Sequence, residues 1–158
     1  MNNLRPYQQQ AVAAIEEKQN QSNKLILVMG TGLGKTHVAT RIIADKVNKT
    51  GKKALVLAHR EELIDQATNK LHEADINLSI EKEMAQEKAS SNANVIVASI
   101  SSLGRIGSSR LSRFNPQDFC MIWIDEAHRS SATSYSNVLR HFGVLKCEPE
   151  HDLNKDIF

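Results

Sequence analysis

Apolar residues recur along the chain in two rhythms, and their alternation predicts the fold. Over residues 4–20, Val12, Ile15 and flanking alanines fall on one face among Gln, Glu and Lys, with Pro6 where a first helical turn accepts it. This pattern predicts a helix. Residues 24–29 form instead a continuous apolar run closed by Gly30, the signature of a strand buried on both faces of a parallel sheet. Helical spacing returns with Val38, Ile42, Ile43 and Val47. Residues 54–58 read as a second buried strand, and 61–74 as a helix with Leu63, Ile64, Ala67 and Leu71 inward. A weak strand signal follows at 77–80, strong ones at 95–99 and 119–125, and a last helix at 134–142. Residues 104–114, rich in Gly, Ser and Arg, read as a surface connection. Strands alternating with helices predict an α/β fold with a mainly parallel sheet flanked by helices.

Composition narrows the class. With 158 residues the chain makes one domain, and 41% hydrophobic with 24% charged residues is ordinary globular usage. No apolar run approaches the ~20 residues of a membrane span, and Met1-Asn2-Asn3 opens no signal peptide, so a cytoplasmic protein is expected. Cys120 and Cys147 match no disulfide or zinc spacing and read as reduced thiols. Aromatic residues make up only 4%, which argues against a nucleic-acid surface built on base stacking. The net charge of +2 identifies no partner, but its distribution is uneven. Between Lys18 and Ala44, and again between Lys88 and Gln117, there is no carboxylate. The second window carries Arg105, Arg110 and Arg113, which suit an anionic ligand such as backbone phosphate or merely solvate a loop.

Two motifs carry chemistry. Gly30-Thr31-Gly32-Leu33-Gly34-Lys35-Thr36 lies between a predicted strand and a predicted helix, as a P-loop does. Glycines let the backbone curl so that N–H groups converge on a phosphate, the helix N-terminus adds partial positive charge, Lys35 reaches the β- and γ-phosphates, and the Thr36 hydroxyl ligates Mg²⁺. The pattern is missed only at its first glycine, where Met29 stands. Asp125-Glu126-Ala127-His128 ends the strand predicted at 119–125, where an open α/β sheet has its ligand crevice. There Asp125 can hold Mg²⁺ through its water shell while Glu126 polarises the attacking water. Together the motifs predict Lys35, Asp125, Glu126 and His128 as catalytic, Thr36 and Asp125 as metal-binding, and ATP with Mg²⁺ as the ligands.

The ordered set resembles the first RecA-like domain of a superfamily-two helicase of the DEAH type, in the branch of XPB-like helicases and restriction-enzyme motor subunits. Leu4-Arg5-Pro6-Tyr7-Gln8 resembles that family's adenine-reading segment, which implies nucleotide contacts by Arg5 and Gln8. Residues 54–63, including His59 and Arg60, resemble motif Ia, and 97–103, including Ser99 and Ser101, resemble the segment after it. The resemblance implies backbone contact with DNA or RNA, without sequence specificity, by His59, Arg60, Ser99, Ser101 and Arg105. It covers residues 4–143 and predicts a partial ATP-binding lobe over 1–143 with a C-terminal extension over 144–158. The family's Ser/Thr-Ala-Thr motif is expected beyond these residues; Ser131-Ala132-Thr133 spells it too close to His128 and reads as loop and helix cap. The second RecA-like lobe, with its arginine finger, is also missing from these residues. A nucleotide-binding module without motor activity, or an inactive remnant, is the alternative reading.

Overall fold

A computed structural model describes residues 4–30, 32–75, 77–125 and 133–145 of the chain. Its elements run α1 (Pro6–Gln19), α2 (Lys35–Thr50), β1 (Lys53–Ala58), α3 (Glu61–Ala74), β2 (Ile80–Glu83), β3 (Val95–Ser99), α4 (Ile100–Leu103), β4 (Phe119–Ile124) and α5 (Thr133–His141). The strands form a four-stranded sheet in the order β2-β3-β1-β4, every pairing parallel.

Alternation along β1 sorts the core into two layers. Ala54, Val56 and Ala58 face Ile43, Val47, Ile64 and Leu71 of α2 and α3, while Leu55 and Leu57 face Leu103, Phe114 and Val138 on the opposite side. Both faces of the sheet are therefore covered, and a run with no polar position is the sequence consequence. At the edge, β4 is only half-buried along its length although it is as apolar as β1. Cys120 and Trp123 pack there as partly buried members of the first layer.

Most helices lie where periodicity predicts them, but one predicted strand does not form. Residues 24–29 have no regular secondary structure, and Ile26 and Val28 are 69% and 86% exposed. A strand exists only through its ladder, and among the described residues nothing pairs with this run. Two smaller differences follow from local chemistry. The weak strand signal at 77–80 is realised later, as β2, because Asp75 and Asn77 close a turn in which the Asp75 carboxylate accepts from the Asn77 N–H at 2.9 Å. The 104–114 connection is not purely surface: Leu103, just before it, and Phe114, at its end, are buried in the second layer.

Candidate functional site

Parallel register brings three loops to one edge of the sheet. Ala58 pairs with Ser99, and Leu57 with Ile124, so the residues after β1, β3 and β4 emerge side by side. The Asp125 N–H donates to the Leu57 carbonyl at 2.9 Å and carries the ladder one residue further. This edge, formed by the C-terminal ends of the strands, is where an α/β sheet binds ligands.

The glycine loop reaches the same place from the other direction. Gly32 and Gly34 have φ of 80° and 77°, a region that side chains strain to enter, and Gly34 is the N-cap of α2. The Leu33 N–H donates to the Gly30 carbonyl at 3.3 Å, and the His37 N–H to that of Gly34 at 3.0 Å. Gly34 is required for space as well: a Cβ there would lie 2.4 Å from Nε2 of Gln8. Gln8, the only buried residue of α1, donates from that nitrogen to the Leu33 carbonyl at 3.0 Å, and its Oε1 accepts from the Arg5 N–H at 2.9 Å. Each end of a carboxamide has capacity for a second bond, so Gln8 braces the loop and retains one donor and one acceptor site. Arg5 itself is exposed, with Nη1 3.4 Å from the Tyr7 hydroxyl.

Lys35 and Thr36 stand exposed in the first turn of α2 and line one cleft with Asp125, above Trp123 and Ala39. A lysine, a hydroxyl and a carboxylate are thus brought together from residues 90 positions apart. Thr36 and Asp125 are hard oxygen donors, and two such ligands suit Mg²⁺, which keeps most of its water. Among the described residues there is no cluster of three or more His, Cys, Asp or Glu side chains that would favour another metal. The predicted positions Thr31, Glu126 and His128 lie outside the described residues.

The residues predicted to meet nucleic acid divide into two groups. Arg60 is exposed at the N-cap of α3, beside partly exposed His59; Ser101 and Arg105 are exposed after β3, and buried Ser99 bonds Ser101 through their hydroxyls at 2.7 Å. His59, Arg60, Ser99 and Ser101 lie at the C-terminal ends of β1 and β3, and Arg105 follows α4. Arg110 and Arg113 do not serve as predicted. Arg110 donates to Glu83 Oε1 at 2.9 Å and to the Ala85 carbonyl, and Arg113 to Glu83 Oε2 at 3.2 Å and to the Ala89 carbonyl at 2.7 Å. Glu83 is fully buried, and a buried carboxylate needs such partners. Both guanidiniums are therefore structural. An acid inside a weak strand offered no sequence signal for this clamp.

A glycine loop capping a helix, a lysine and hydroxyl behind it, and an acid at the end of a neighbouring parallel strand define a RecA-like P-loop domain. Its relatives specify the kind. The family model described as the type III restriction enzyme res subunit matches residues 1–147, and the chain belongs to that family, as the first RecA-like domain of a superfamily-two helicase. It is similar to the putative mitochondrial ATP-dependent helicase irc3 of Schizosaccharomyces pombe, 36% identical over 144 residues that span 89% of this chain and 23% of that protein. The putative ATP-dependent helicase IRC3 of Saccharomyces cerevisiae is 37% identical over 153 residues, 92% of this chain and 22% of that one. The chain thus spans under a quarter of the length of these relatives. Among solved structures, the SWI2/SNF2 ATPase core of Sulfolobus solfataricus in complex with dsDNA superimposes with a TM-score of 0.72 at 19% identity, covering 85% of this chain and 29% of that one. This last likeness concerns the fold. Among the described residues no helix is long and apolar enough to cross a membrane.

Proposed function

We propose that the chain is the ATP·Mg²⁺-binding lobe of a nucleic-acid-dependent ATPase of the DEAH type, which drives translocation on DNA or RNA when a second lobe completes the cleft. The observation that carries this reading is the shared cleft of Lys35, Thr36 and Asp125 at the C-terminal ends of the strands, where exposed Arg60 follows β1 and exposed Ser101 follows β3. The helicase names of the two yeast relatives support ATP use, and the dsDNA bound by the archaeal ATPase core supports a nucleic-acid partner. A cytoplasmic setting is our reading of the sequence, although the fission-yeast relative is named as mitochondrial.

Each residue has a definite task. The N–H groups of the loop and the positive end of α2 receive the phosphates, and Lys35 neutralises charge on the β- and γ-oxygens. Gln8, whose carboxamide retains one donor and one acceptor, faces the base while bracing Leu33. Thr36 and Asp125 would hold Mg²⁺, which when bound would offset charge on the phosphates. To Glu126 we assign orientation of the attacking water and acceptance of its proton, and to His128 a further catalytic part, as the DEAH-type motif implies. Arg60, Ser101 and Arg105 bind backbone phosphates without reading sequence.

Calorimetry on the purified chain tests the carrying observation. Lys35→Ala should weaken ATP·Mg²⁺ binding roughly ten- to a hundredfold, the worth of a charge-assisted contact, without changing the melting temperature by more than a few degrees. Unchanged affinity in the folded variant rejects the P-loop assignment. Binding of single-stranded DNA and RNA, followed against salt, tests the second half.

A further inference from the structure

One exposed apolar side chain stands apart from the others. Among the described residues, the remaining large apolar side chains in solvent are Leu25, Ile26, Val28 and Leu33, all in the glycine loop or the run before it. Ile106 is 76% exposed and lies on the segment after α4. A surface isoleucine is ordinary by itself. Here, however, the backbone beneath it is both shaped and anchored.

The Ser108 N–H donates to the Arg105 carbonyl at 3.1 Å and closes a turn with Ile106 and Gly107 at its tip. Gly107 has φ of 76° while Ile106 stays out of the left-handed region, the pattern of a type II turn, which requires glycine at its third position. The tip is open: a Cβ on Gly107 would meet nothing within 4 Å. Both stems are fixed. Before the turn, a Cβ on Gly104 would lie 2.3 Å from the Ser134 carbonyl oxygen, so the backbones touch, and Asn137 Nδ2 donates to the Gly104 carbonyl at 3.2 Å. After it, the Arg110 N–H donates to the Ser108 hydroxyl at 3.2 Å, and the Arg110 guanidinium is held by buried Glu83. A tip on so firm a base has little conformational freedom to lose when a ligand arrives.

Charge indicates the ligand. Arg105, exposed and immediately before Ile106, forms no ion pair among the described residues, whereas Arg110 and Arg113 are both taken up by Glu83. No carboxylate occurs between Lys88 and Gln117. A free cation followed by an apolar tip matches a polymer that alternates phosphates with flat apolar faces, and in a single strand of nucleic acid those faces are open.

We propose that Ile106 packs against a base face of the bound single strand, next to a phosphate held by Arg105. The proposal rests on the nucleic-acid binding proposed above and adds a base contact to it. Isoleucine is among the apolar side chains that proteins insert at base steps, and contact with a base face tolerates any sequence because every base has one.

Binding of fluorescent single strands to the 158-residue chain tests it, with DNA and RNA each prepared intact and with abasic sites at the same length and charge. The unmodified chain should prefer the intact strand. Ile106→Ser should weaken intact-strand binding about three- to tenfold, leave abasic-strand binding within about twofold, and keep the slope of log affinity against log salt. Ile106→Leu should restore the preference. Arg105→Ala should weaken both strands alike and flatten the slope by about 0.7. Ile106 is at the surface, so the melting temperature of its variants should stay within a few degrees. Intact-strand affinity unchanged by Ile106→Ser overturns the proposal while the proposed function stands, and is the outcome expected if the tip meets another protein. An equal loss on intact and abasic strands places the contact on the sugar-phosphate backbone and also overturns it. Failure of the unmodified chain to bind any strand rejects the proposed nucleic-acid binding and this proposal with it.

Discussion

Residues 25–29 and 54–58, the apolar part of β1, are nearly interchangeable as sequences. Leu-Ile-Leu-Val-Met and Ala-Leu-Val-Leu-Ala are both unbroken apolar runs followed by loop residues with chemical roles. Their fates differ. Leu55 and Leu57 are 0% exposed, with β3 on one side and β4 on the other, whereas Ile26 and Val28 are largely in solvent and no ladder holds them. Hydrophobic content measures what a segment gains by burial, while the ladder depends on a neighbour elsewhere in the chain. The glycine loop is correspondingly independent of the run before it. Its shape is set by the Gly30–Leu33 turn, the left-handed Gly34 cap and the Gln8 brace.

The largest test of this contrast is Leu57→Ala. Removing a fully buried side chain that packs in the second layer should cost about 2–5 kcal/mol of stability, read from urea unfolding as a lower midpoint at unchanged slope. A loss below about 1 kcal/mol would mean that the layer between the sheet and α5 is loosely packed. The equivalence of the two runs would then be restored from the other side.

Gly34→Ala comes next. The substitution forces a side chain into a left-handed conformation, at about 1–2 kcal/mol, and drives its Cβ to 2.4 Å from Nε2 of Gln8. The Gln8 bond to Leu33 should break, and affinity for ATP·Mg²⁺ should fall with it. Gln8→Ala relieves the collision, so in the double variant the two losses should be less than additive. Strict additivity, measured by unfolding and calorimetry together, would show that Gln8 does not brace the loop.

The glycine loop, the place of Asp125 and the helices were legible because each rests on local chemistry: glycines before a lysine, an acid after an apolar strand, a helical period of apolar residues. The range of α3, Glu61–Ala74, was read to the residue, since acids open it and the Asp75 turn closes it. What could not be read depends on partners distant in sequence. The unladdered state of 24–29 depends on which strands flank β1 and β4. Arg110 and Arg113 looked like phosphate ligands because Glu83, about 30 positions earlier, folds against them only in three dimensions. Gly104 looked like a loop glycine, and only the backbone of Ser134 explains it.

The smallest expected effect is at Val28. At 86% exposure, Val28→Ser removes two methyl groups that are already hydrated, so stability should change by no more than about 0.5 kcal/mol. Val56→Ser, at a position 2% exposed and paired in register with Val97 and Trp123, provides the contrast: it buries an unpartnered hydroxyl in an apolar layer at a cost of several times that amount. Backbone exchange sharpens the same comparison without mutation. The Leu55 and Leu57 amides lie in a two-sided ladder and should exchange only on global opening, while those of residues 25–28 should exchange within the dead time of a manual experiment. ATP·Mg²⁺ affinity should be unaffected by Val28→Ser, because the loop is braced by Gln8 and capped by Gly34. A stability loss above about 1.5 kcal/mol, together with slow exchange at residues 25–28, would mean that this run is buried against a further strand and that the two segments are alike in structure as well as in sequence.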